Sequence, residues 1–178
     1  TLSSSSAASD VYKRQFLLAG AARDNGHTLV QTQDFGAAPR AAIHTPEYLR
    51  FLATAWERWQ ALDDASDEVT PNVHPFPGQP CTYPDSLVGQ AGYHMGDMAC
   101  SIGQHTWNAA VWSAHAATHA AALVLEGERA TYALCRPPGH HAYADRANGF
   151  TYLNNAAIAA QYLRCLLYTS DAADEEDS

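Results

Sequence analysis

Between Trp107 and Leu163 the apolar residues change period twice, and few architectures accommodate that change. Trp107, Val111, Ala114, Thr118, Ala121 and Leu125 recur at helical spacing and mark a long, small-residue helix that stops at Gly127. Thr131–Cys135 is next, a short apolar run with the length of a buried strand. Arg136-Pro137-Pro138-Gly139 must break it, because proline supplies no N–H to a ladder. From Asn154 the helical period returns at Ala156, Ala157, Ala160 and Leu163. Helix, strand, loop, helix predicts an α/β fold, a parallel sheet flanked by helices. Ligands of such sheets gather at the carboxyl ends of the strands, so the residues after Cys135 are where chemistry is expected.

The upstream half carries one strong helix signal. Thr45 is suited to an N-cap, Pro46 to the first turn and Glu47 to the positive end of the dipole. Tyr48, Leu49, Leu52, Ala55, Trp56 and Trp59 follow at helical spacing. Leu17–Asn25 is a short helix expectation ending at Gly26, and Thr28–Gln31 is a strand expectation. Residues 63–104, rich in proline and turn residues, read as one long loop of the kind that usually serves function.

Composition limits the function classes. With 47% hydrophobic and 16% charged residues, the 178-residue chain can bury a core and is no disordered acidic polymer. The net charge of -9 argues against neutralising nucleic-acid phosphates and fits a cationic substrate or partner. Five of the acids lie in the last eleven residues, so much of that charge belongs to the tail. The serine-rich first fifteen residues and the acidic segment 168–178 are expected to lie outside the domain, which is assigned to 16–167. Low-complexity ends of this kind are usually disordered. Cys81, Cys100, Cys135 and Cys165 form no C-x-x-C pair, and their spacing suggests a reducing compartment such as the cytoplasm rather than a disulfide framework. The apolar run 16–22 is too short to cross a bilayer, no signal-peptide pattern lines up, and no membrane role is expected.

His140 and His141 are the candidate catalytic pair. Imidazole exchanges protons near neutral pH, and two neighbours on a stiff turn can divide the labour of deprotonating water and holding charge. A bare His-His is more often a surface pair. Pro137-Pro138-Gly139 before it and Gly149-Phe150 after it reverse that preference. Gly149 lets backbone approach a ligand closely, and Phe150 offers a flat apolar wall, although from composition alone Phe150 would be ordinary core. His115 and His119 stand one helical turn apart and could hold a metal, but without a neighbouring Glu the simpler reading is packing. Asp97 reads as a loop organiser rather than a catalytic acid. Asp85 is a weaker candidate for recognising a cation. Asp145 and Arg146 read as a solvated turn.

RPPGHHA (136–142) followed by NGFTYLNNAAIAAQYL (148–163) resembles the histone deacetylase superfamily, most closely its bacterial acetylpolyamine-hydrolysing branch. PNVHP (71–75), AGYHMGDMACSIGQHTW (91–107) and IHTPEYLRFL (43–52) resemble the same branch, in family order. The resemblance covers about residues 17–167. It implies an arginase-like α/β fold and a zinc-dependent hydrolase that removes acetyl or related acyl groups from polyamines or lysine side chains. It implies His141 as general base and then general acid, His140 as its electrostatic partner, Phe150 along the channel for the methylene chain, and Gly149 contacting the ligand through its backbone. The loop at 63–104 would select substrate or form a homodimer contact. The family's zinc ligands begin with an Asp-x-His pair, and no histidine here has an aspartate two positions before it. The chain therefore reads as about half of a catalytic domain, incomplete in its sheet and inactive as it stands. The alternative is a non-catalytic homologue acting as an interaction module.

Overall fold

A computed structural model describes Gly20 and residues 28–75 and 81–176, with side chains as far as residue 167. The chain divides into two compact units, Thr1–Thr32 and Gln33–Ser178. Of the first, the helix expected at Leu17–Asn25 lies outside the described residues except for Gly20. Thr28–Gln31 is not a strand among the described residues.

Among its described residues the second unit has five helices, α1 (Ala38–Ala41), α2 (Pro46–Gln60), α3 (Leu87–His94), α4 (Thr106–Leu125) and α5 (Asn155–Glu176). α2 begins as expected. Thr45 accepts from the Tyr48 amide, Pro46 fills the first turn and Arg58 lies in the last. Tyr48, Phe51, Leu52 and Ala55, at spacing i, i+3, i+4, i+7, are its buried face. α4 matches the expected long helix and ends just before Gly127, which sits in the left-handed region at φ +109°. Its alanines at 110, 114, 117 and 121 are buried and let α5 pack closely along it. α3 packs on α2, and α1 on α5. The core joins the α2 face to Leu87 and Ala91 of α3, Met95, Cys100, Ile102, Ala114, Tyr152, Leu153 and Ile158.

Three expectations need correction. Residues 63–104 are not one loop, because α3 lies within them, capped by Ser86 accepting from the Gly89 amide at 3.1 Å. The described residues contain no extended strand, only isolated bridges at Val69–Ile102, Met95–Ala147 and Asn148–Thr151. Thr131–Cys135 forms no ladder with another described residue, and its Cys135 amide turns back to the Ala133 carbonyl at 3.0 Å; a strand exists only where a neighbour satisfies its N–H and C=O groups. The acidic tail is not structureless, since α5 continues to Glu176 on good helix formers such as Ala172, Ala173, Glu175 and Glu176.

Candidate active site

The bend carrying the histidines is gripped by two helices. Ser113 Oγ on α4 donates to the Pro137 carbonyl at 2.7 Å. Asn155 Nδ2, at the start of α5, donates to Ser113 Oγ at 2.9 Å and to the same carbonyl at 3.3 Å. Gly139 lies directly on the α5 terminus, where any Cβ would overlap the Asn155 amide nitrogen. The sequence stretch Pro137-Pro138-Gly139 thus ends in a glycine for a packing reason.

Past the pair, several carbonyls of the loop are held from other parts of the chain. Asn154 Nδ2 donates to Ala142 O at 3.0 Å, and the Thr45 amide donates to Ala144 O at 3.0 Å. His44 Nε2 accepts from the Asn154 amide at 3.0 Å, which puts its proton on Nδ1, where it donates to Ala144 O at 3.2 Å. His94, fully buried, accepts from Tyr83 Oη at 3.0 Å and donates from Nδ1 to Asp145 O at 2.6 Å. Burial lowers the pKa of both His44 and His94, more than their carbonyl bonds raise it, so both are structural and neutral. Asp145 and Arg146 therefore contribute more than a solvated turn: the Asp145 backbone anchors His94. Ala147 completes the attachment, its amide donating to His94 O at 2.8 Å and its carbonyl accepting from the Gly96 amide at 2.7 Å.

His140 and His141 come together, with ring centroids 4.0 Å apart and planes inclined by 49°. Gly149 lies against the second ring: a Cβ at that position would stand 2.8 Å from His141 Cδ2. Phe150 follows at φ +61° and is 66% exposed. All four expected site residues therefore occupy one neighbourhood. Both imidazoles are exposed, and neither bonds a described residue. A cleft of about 310 Å³ lies elsewhere, lined by residues including Leu52, Trp56, Glu57, Ile102, His105 and Trp107.

His115 and His119 take the packing role. His115 Nδ1 accepts from the Phe35 amide at 3.2 Å, its Nε2 lies 3.1 Å from Asp34 Oδ1, and His119 stacks on Phe35 at 5.6 Å. Among the described residues no group of three His, Cys, Asp or Glu side chains is placed to hold a metal. The described residues do not fit a zinc site. Residues that sequence reasoning missed are the supporting ones: His44, His94, Ser113 and Asn155. Each acts on a backbone carbonyl or amide up to 110 positions away, which no periodicity reveals.

Comparison with known proteins gives one consistent answer. The histone deacetylase domain model matches residues 9–169. An acetylpolyamine amidohydrolase from Burkholderia pseudomallei is 49% identical over 156 residues, spanning 87% of this chain and 45% of that one. Acetylpolyamine amidohydrolase 1 from Pseudomonas aeruginosa is 39% identical over 149 residues, spanning 82% and 42%. The chain thus spans less than half the length of these curated relatives. The crystal structure of the acetylpolyamine aminohydrolase from Burkholderia pseudomallei superposes with a TM-score of 0.77 at 48% identity, over 85% of this chain and 44% of that one. Seen this way, the helices and the histidine bend are one portion of a deacetylase fold, and the chain belongs to the histone deacetylase family.

Proposed function

We propose that this chain supplies the proton-transfer pair and one channel wall of a zinc-dependent amidohydrolase that removes acetyl or related acyl groups from amines. The observation that carries the proposal is the contact of the two imidazoles at 4.0 Å, with Gly149 against the second ring. His141 takes a proton from the attacking water and returns it to the departing amine nitrogen. His140 stabilises the charge that His141 carries between those steps. The Gly149 backbone lies at the ligand, and the exposed ring of Phe150 flanks an aliphatic chain. Zinc is implied by the family, and the described residues do not fit its site.

Acetylated polyamines are the preferred substrates over acetyl-lysine in protein, on the names of the relatives from Burkholderia pseudomallei, Pseudomonas aeruginosa and Mycoplana ramosa. The test uses the product of the coding sequence read beyond residue 167, called here the extended protein. It is assayed with zinc on an acetylated polyamine and on an acetyl-lysine peptide. Faster release of acetate from the polyamine supports the proposal; equal or reversed preference removes the polyamine assignment. A stop codon in the natural gene at the end of this segment makes it a non-catalytic homologue.

A further inference from the structure

The loop between α3 and α4 reaches the candidate site through one carboxylate. Asp97 Oδ1 accepts from the Ala99 amide at 3.0 Å, and Oδ2 accepts from the Gly149 amide, 52 positions along the chain, at 2.9 Å. Gly149 and Phe150 are the two central residues of a tight reversal. Asn148 and Thr151 exchange amide-to-carbonyl bonds of 3.1 and 2.9 Å around them, and both centres have positive φ, +52° and +61°. That is the requirement of a type I′ turn, and it is unfavourable for phenylalanine: a left-handed residue other than glycine costs roughly 1–2 kcal/mol. Such a turn persists only where its surroundings determine it. The closing bonds use Asn148 and Thr151, leaving the Gly149 amide for an outside acceptor, and Asp97 is that acceptor.

Both carboxylate oxygens of Asp97 are thus engaged by backbone amides. Burial acts to raise its pKa, but these bonds outweigh it and hold the carboxyl below its usual range, while burial and the Asp97 charge push the Cys100 thiol up to about 12. We infer that Asp97 is a positioning residue: by holding the Gly149 amide it fixes the left-handed turn that sets both the His141 ring and the Phe150 wall, without touching substrate. The consequence for turnover rests on the deacetylase reading; the mechanical role does not.

The experiment uses uniformly 15N-labelled 178-residue chain and extended protein, as wild type, Asp97→Asn and Asp97→Ala. In Asp97→Ala the Gly149 amide is expected to exchange with solvent roughly tenfold faster or more, the scale of a lost bond to a charged acceptor. The nuclear Overhauser contact between Gly149 and the His141 ring should vanish while Phe51 and Leu52 amides of α2 keep their protection. Asp97→Asn, which keeps one carbonyl acceptor, should recover part of both signals. A general weakening that moves the α2 amides equally, or an unchanged Gly149 amide, overturns the inference. Should Asp97→Ala fail to fold, acidifying the wild type decides: the Gly149 amide shift must follow protonation of the Asp97 carboxyl, and independence of the two refutes the bond. Loss of kcat in Asp97→Asn of the extended protein is expected alongside. If the wild type hydrolyses no acylated amine while the glycine signals behave as stated, the deacetylase reading fails and the role of Asp97 stands.

Discussion

Replacing Gly149 with alanine separates the stability of this protein from its proposed chemistry. Alanine in the left-handed region costs roughly 1–2 kcal/mol, offset by about 0.4–1 kcal/mol from the stiffer unfolded chain. The new Cβ would stand 2.8 Å from His141 Cδ2 and 3.1 Å from Cγ, inside ordinary contact distance. The His141 ring is exposed and bonds no described residue, so it can swing aside at little energetic cost. The net destabilisation is therefore small, about 1 kcal/mol, and the main effect is displacement of one imidazole from its neighbour. General acid–base catalysis by a positioned group contributes roughly 10²–10⁴-fold, so deacetylation by the extended protein should fall by about 10²-fold or more. Urea unfolding and acetate-release kinetics on the same variant give both numbers. Near-wild-type turnover, or a stability loss of several kcal/mol, would refute the view that Gly149 is small because His141 needs the space.

Acid should loosen the attachment of the histidine loop. Burial lowers the pKa of His44, His94 and His115 below the unfolded value of about 6.5. Their contribution is thus complete above that value and is lost as pH falls through it toward the folded values. Unfolding free energy should drop as pH falls below about 6.5, and the Asn154 amide should shift with it, since protonated His44 Nε2 can no longer accept from it. Tyr48→Phe removes the 2.6 Å bond to the Tyr152 carbonyl from a fully buried ring, and should cost roughly 1–3 kcal/mol in denaturant unfolding with no change in the helix content of α2. Thr45→Ala, which removes the α2 cap, should cost about 1 kcal/mol by the same assay.

What could be read from sequence was what depends on near neighbours. The Thr45-Pro46-Glu47 start of α2, its buried face and the long α4 all follow from spacing within one element. The meeting of His140 and His141 follows from their adjacency on a bend. The strands did not follow, because an apolar run such as Thr131–Cys135 becomes a strand only when another segment pairs with it. α3 was hidden because it is only eight residues long, carries two glycines and sits between Pro84 and Gly96. The supports of the site were equally invisible. Asp97 was legible as a loop organiser, but its bond to Gly149 spans 52 positions, and the His94 bond to Asp145 spans 51.

The most direct check of the proposed chemistry is the kinetics of His141→Ala and His140→Ala in the zinc-loaded extended protein on an acetylated polyamine. The histidine-pair account expects the first to lose at least about 10²-fold in kcat with the fold intact, and the second to lose activity as well. Wild-type turnover in the absence of the His141 imidazole would contradict it.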